Sequence, residues 1–231
     1  MDKELSVQQV LALACAAQRY NKDYLKETVP VYSDDMKVMS YKWANKMLVL
    51  LTLAPENYRK SSPDEPNPPI LKPNQDDLDL TAEIVKYYKR LMFAAVQGDN
   101  EFLTKINSLL ESDTMKSSEV GFIACLPSVY KRDYARTQIT KRVKSVDDGY
   151  LAEIGTNILD KDCEILESQR SKNFDAWNVC AIIDNKMVSW FSKVDLKIGP
   201  AVIVKAKVKD HSKHWKHENP VTRLNYVKAV Q

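Results

Sequence analysis

Glycine is nearly missing from this chain, with five residues in 231. Few positions can then take positive φ without steric cost, which leaves no room for a glycine-rich phosphate loop. Neither G-x-G-x-x-G nor G-x-x-x-x-G-K-[ST] occurs, so a dinucleotide-binding turn and a P-loop are not expected. Histidine is scarcer still: three residues, all inside the segment 211–218, HSKHWKHE. Cysteine is limited to Cys15, Cys125, Cys163 and Cys180, with no C-x-x-C pair and none near the histidines. Three of the four sit in apolar runs, the pattern of reduced thiols acting as small hydrophobes in a cytoplasmic protein. No apolar stretch approaches the ~20 residues of a membrane-spanning helix. The apolar run at 10–17 is short and follows no basic segment, unlike a signal peptide.

What is present is ordinary in bulk and uneven in distribution. Hydrophobic residues make up 44% and charged residues 28%, enough for a packed core in a soluble protein. The net charge of +3 divides unequally: residues 127–231 hold 19 basic and 13 acidic groups, the first 126 hold 15 and 18. A positive C-terminal part points towards an anionic partner there.

The first two-thirds reads as helical. Ser6 with Gln9 three residues on predicts a capped helix over 6–21. Apolar spacing predicts another over 36–53. Residues 61–73 contain five prolines, which neither a helix nor a central strand tolerates, so they form a surface connection. Its P-x-x-P repeats, Pro63 to Pro66 and Pro66 to Pro69, match the minimal SH3-ligand pattern only weakly. Asp79 is a plausible N-cap and Gly98 a plausible terminator of a long amphipathic helix. Further helices follow over 99–111, from Ser117 or Ser118 through 125, and from Pro127 to 144. The six basic groups of 131–144 scatter around their helix, as on a solvated connector, and form no stripe.

After Asp147-Asp148-Gly149 the period shortens. Five strand-like segments follow: CEILESQR, FDAWNVCAIID, KMVSWFSK, AVIVKAKVKD and PVTRLNYVKAV. Asp184-Asn185 between the second and third suits a two-residue hairpin, since asparagine tolerates positive φ. The expected fold is α+β: a helical domain over 1–148, with its Pro-rich loop at 61–73, and then, over 149–231, a five-stranded antiparallel β-barrel that resembles the OB fold. The helix usual between OB strands three and four is absent, with only residues 194–199 available, which leaves an SH3-like or other small barrel as the alternative.

Candidate functional residues cluster in the barrel. Lys205, Lys207 and Lys209 alternate with apolar residues, so a strand would align their ammonium groups on one face about 7 Å apart, a spacing suited to phosphates of an extended nucleic-acid strand. The competing explanation is protection of a sheet edge. The HSKHWKHE loop follows, with His211, Lys213, His214 and Trp215; a tryptophan among cations is a stacking platform for an unpaired base. Arg223 would assist, and of adjacent Trp190 and Phe191 one must face outward. Trp177 is expected to pack. A metal site at the three histidines has no standard ligand register, and no metal or other cofactor is expected. H-E-x-x-H and G-x-S-x-G are absent. The pairs Asp34-Asp35, Asp76-Asp77 and Asp147-Asp148 sit where helices begin and caps are needed. No enzymatic activity is expected.

The ending VIVKAKVKDHSKHWKHENPVTRLNYVK resembles one that recurs in uncharacterised proteins of tailed bacteriophages: a glycine, a strand K-x-x-V-K-x-H, a variable loop, then T-x-L-x-x-V-K. Gly199, Lys205, Val208, Lys209, His211, Thr222, Leu224, Val227 and Lys228 carry it. The resemblance covers roughly the last 35 residues and the helical half more loosely. It implies a phage origin, a small barrel and residence in the host cytoplasm, away from membranes. The leading expectation is non-catalytic binding of single-stranded nucleic acid, DNA rather than RNA, in phage replication or recombination. The second is a phage protein that binds a host or phage protein, for example to inhibit or modulate a host defence enzyme, with the acidic helical part and its Pro-rich loop in contact and the barrel as scaffold.

Overall fold

The computed structural model describes residues 4–36, 38–58, 67–94, 101–214 and 218–231. The chain divides into two compact units, Met1–Tyr134 and Ala135–Gln231, and the boundary falls inside a helix. No helix among the described residues is long and apolar enough to cross a membrane.

The first unit is organised around α1 (Val7–Asn21). Ser6 caps it by accepting the Gln9 backbone N–H, as the S-x-x-Q pattern predicts. Its alanines and leucines are buried nearly all the way round, because α2 (Asn45–Leu53), α3 (Gln75–Ala94), α4 (Glu101–Glu111) and α5 (Val120–Ala124) surround it. Leu11, Leu48, Ile84, Tyr88, Ile106 and Ile123 fill the centre. Short strands β1 (Glu4–Ser6) and β4 (Thr114–Lys116) pair beside it.

Two helix expectations are corrected. Residues 36–53 are not one helix. Val29–Tyr32 (β2) and Val38–Lys42 (β3) form an antiparallel hairpin, and only Asn45–Leu53 is helical. The long-range pairing of β-branched and aromatic residues outweighs the helical spacing of a short apolar set. The long helix α3 starts at Gln75 rather than after Asp79. Asn74 and Asp77 hold each other's backbone N–H groups, at 3.0 Å and 2.9 Å, and so set the first turn five residues earlier. Gly98, Pro63 and Pro66 lie outside the described residues.

In the second unit, β5 (Asn157–Arg170), β6 (Trp177–Ile183), β7 (Lys186–Ser192), β8 (Gly199–Lys213) and β9 (Pro220–Val230) close into a barrel in the order β5-β6-β7-β9-β8. The barrel is mixed, which corrects the all-antiparallel expectation: β7 and β9 run parallel over Met187–Ser189 and Val221–Arg223. Asp184 and Asn185 do form the β6–β7 turn, both with positive φ (47° and 58°). Ile165, Val179, Ala181, Val188, Trp190, Ile203 and Val208 pack inside. Part of the outer face is also apolar. Cys180, Ile182, Met187 and Val221 are covered by Ile139 and Val143 of α6 (Leu126–Lys144), whose Arg142 also bonds Glu164.

Candidate functional site

Residues directly opposite on paired strands point to the same side of a sheet. One outer row runs across the whole barrel: Glu167 on β5, Cys180 on β6, Ser189 on β7, Arg223 on β9 and Asp210 on β8. A second row beside it holds Gln169, Asn178 and Phe191. The parallel β7·β9 pairing stops at Ser189 and Arg223, one row short of Phe191. There the surface opens into a cleft of about 470 Å3, which these rows, Asp210 excepted, line together with Asn225, Tyr226, Lys209, Lys213 and His214.

Two aromatic rings of this cleft face solvent. Phe191 is 51% exposed and Tyr226 78%. Phe174, in the β5–β6 loop, meets Phe191 edge-on with centroids 5.6 Å apart. Tyr226 owes its position to a bulge. Asn225 pairs with Lys207, but Lys228 pairs with Lys205, so β9 advances three residues where β8 advances two. The extra residue turns Tyr226 outward with a φ of 53°, a left-handed conformation that side chains other than glycine, asparagine and aspartate rarely take.

The charge is asymmetric. Lys209, Lys213 and Arg223 face one carboxylate, Glu167, among the lining side chains. Arg223 Nη1 lies 3.5 Å from Asp210 Oδ2, a part-exposed pair of small energetic weight. Among the described residues Lys209 and Lys213 make no ion pair. Burial, and then the Glu167 charge, push the Cys180 thiol up to about 12, so it stays protonated at neutral pH and is no nucleophile.

The residues expected from the sequence divide into groups. Lys209, Lys213, His214 and Arg223 come together at the cleft. Lys205 and Lys207 continue the exposed row along β8, away from it. Edge protection does not account for them, because β8 pairs with β5 on one side and β9 on the other at both positions. Trp190, 4% exposed, packs in the barrel interior and also lines the cleft, and its neighbour Phe191 is the outward ring. His211 has a structural task. Its ring stacks on Tyr150 at 3.9 Å, and Nε2 donates to the Ala152 carbonyl at 2.9 Å. The paired Thr222 hydroxyl accepts from Leu151 N–H, so both hold residues 150–152 over the barrel end. Trp215 and His217 lie outside the described residues. Among those described, no three His, Cys, Asp or Glu side chains converge on a point. Tyr226 and Phe174 were missed, since strand alternation places Tyr226 inward with Leu224 and nothing local marks a loop phenylalanine.

The helical unit has a cleft of about the same 470 Å3, between α1, α3 and the start of α6. Its charges balance: Arg19, Lys22 and Lys131 against Asp76, Asp77 and Glu83. The Arg19 guanidinium forks onto Asp77, with Nη2 at 2.8 Å and Nε at 3.1 Å. Tyr130 donates to Glu83 at 3.3 Å, and Cys15, its thiol pushed up to about 11 by burial, meets the Thr81 hydroxyl.

No protein-family model matches this chain, no curated protein matches it in sequence, and no solved structure matches it.

Proposed function

We propose that the barrel cleft binds single-stranded nucleic acid without catalysis, with DNA rather than RNA as the substrate. The observation that carries this reading is the sharing of one cleft by solvent-facing Phe191 and Tyr226 and the cations Lys209, Lys213 and Arg223. Stacked bases need exposed π-faces, phosphates need mobile positive charge, and only an unpaired strand offers both at once. Lys207 and Lys205 extend the phosphate track along β8. The barrel is read as OB-like: its first strand pairs with its second and fourth, and its third runs parallel to its fifth. In that fold the strand 2–3 face and the 1–2 and 4–5 loops bind oligonucleotides. Phe174 occupies the first loop and His214 opens the second. A role in phage replication or recombination, in the host cytoplasm, rests on the resemblance of the C-terminal segment.

The test is a titration of the full chain into a labelled single-stranded oligodeoxynucleotide at low and moderate salt. Expected are a steep loss of affinity with salt and about a tenfold weakening in Phe191→Ala, one stacked base's share. No binding at low salt removes the proposal. A second reading, docking of a host or phage protein, draws on the exposed Val29, Tyr32, Met36, Val38 and Met39 of the β2–β3 hairpin. A contact centred there would be insensitive to salt.

A further inference from the structure

The β2–β3 hairpin is a sheet of two strands and so has two outer edges. Unpaired N–H and C=O groups along such an edge are a template for another strand. The β2 edge carries Pro30, which has no N–H to give and disfavours pairing there. Strand β3, VMSYK, contains no proline. Among the described residues no strand other than β2 pairs with it, and no backbone hydrogen bond from outside the hairpin reaches it. Four of its five residues are exposed, Val38 and Met39 among them, and Val29 and Tyr32 beside it are half in water. Charge also runs along the hairpin in one direction. A turn closed by Met36 N–H donating to the Ser33 carbonyl holds Asp34 and Asp35 exposed at the tip, and Lys42 stands exposed at the far end of β3. None of these three makes an ion pair among the described residues, of which Lys37 is not one.

We infer that β3 pairs with β3 of a second copy of this chain, antiparallel about a two-fold axis near Ser40, so that the two hairpins become one four-stranded sheet. A two-fold axis brings the same patch of each copy together. It sets Val38 opposite Lys42 of the second copy and carries the tip, with Asp34 and Asp35, past that lysine. Acid tip and basic end therefore meet twice in the antiparallel arrangement. A parallel one would set Asp34 and Asp35 against their own counterparts, a like-charge contact that opposes it. On pairing, Val38 and Met39 leave water and the free backbone groups of the edge gain partners. This contact lies in the helical unit and does not depend on what the barrel cleft binds.

The test is the sedimentation-equilibrium mass of the full chain, without nucleic acid, as concentration rises. The contact is small and the association weak, so the mass is expected to climb from one chain below about 1 μM to two above about 100 μM. Met39→Lys places a charge on each side of the seam and should hold the mass at one chain throughout. Lys42→Glu should weaken the dimer about tenfold, and Asp34→Lys with Asp35→Lys by about as much, while the three changes in one chain restore it, because the pairs are then reversed and not lost. All four side chains are exposed, so each variant should keep the unfolding midpoint of the unaltered chain. A monomer at every concentration overturns the proposal and leaves the hairpin to a different protein. A dimer that survives Met39→Lys also overturns it, by placing the seam elsewhere. Failure of the triple variant to recover the dimer overturns the antiparallel arrangement.

Discussion

Each unit of this chain carries a cleft of about 470 Å3, and what lines them separates the two. In the helical cleft several groups already hold one another, Arg19 by Asp77, Tyr130 by Glu83 and Cys15 by Thr81, although the Gln18 side-chain oxygen has no donor among the described residues. Acids and bases there are equal in number. In the barrel cleft Lys209, Lys213 and Arg223 face a single lining carboxylate, Glu167, and two rings, Phe191 and Tyr226, face water. Volume therefore says little about which cleft is built for a ligand; unfinished interactions say more. A cleft whose groups satisfy each other contributes to folding. One whose groups wait for a partner gives up some stability, a trade expected where binding is the task.

The largest effect should come from undoing the helical cleft. The Asp77 side chain is 4% exposed and accepts bonds from Arg19 and from Asn74 N–H. Asp77→Ala removes the ion pair and the bond that its carboxylate accepts from Asn74 N–H, while the Asn74 side chain still caps α3, and should lower stability by about 2–3 kcal/mol in denaturant unfolding. Oligonucleotide affinity should not change as long as the barrel remains folded. An equal loss of affinity in Asp77→Ala would show that the two clefts do not divide the work in this way.

The converse prediction concerns charge in the barrel cleft. Lys209 and Lys213 are exposed, so replacing both by alanine should leave the unfolding midpoint nearly where it was. Each phosphate contact adds about one to the slope of log affinity against log salt, so the double variant should flatten it by about two. A slope unchanged within error would place the phosphate track elsewhere on the barrel.

How far this contrast could be seen in advance follows from where the period of two holds. Strands β6 and β7 were legible because each is a short apolar run rich in β-branched and aromatic residues, and Asp184-Asn185 supplies the turn that joins them. Lys209 and Arg223 were legible as cations on an outward face. Strand β5 was expected from 162 but begins at Asn157, because pairing with β8 extends it through 157–161, where adjacent Ile158 and Leu159, one buried and one exposed, give no alternation of apolar and polar residues. The β2–β3 hairpin was hidden for a related reason: its partners are contributed by each other, and neither strand alone looks different from a helix start. The cleft itself was only half legible. Its charges are written in the composition of β8 and β9, but its opening depends on a three-residue parallel pairing and a bulge, both of which arise from closing the barrel.

The bulge supplies the smallest effect and the sharpest one. Tyr226 is left-handed, and its ring is mostly in water, so glycine at this position loses almost no packing and escapes the steric penalty. Relief of that penalty, less the greater freedom glycine has in the unfolded chain, amounts to a gain of about 1 kcal/mol. Tyr226→Gly should therefore unfold at higher denaturant than the unaltered chain and at the same time bind single strands on the order of tenfold less tightly, for want of the ring. Tyr226→Phe keeps ring and strain together and should change neither measurement. Ordinary surface tyrosines lose nothing and gain nothing on such replacement, and core tyrosines lose stability. Only a residue held in strain to present its ring moves the two readouts in opposite directions. If Tyr226→Gly lowers stability, the ring is packing after all, and the barrel cleft then resembles the helical one more closely than its exposed surface indicates.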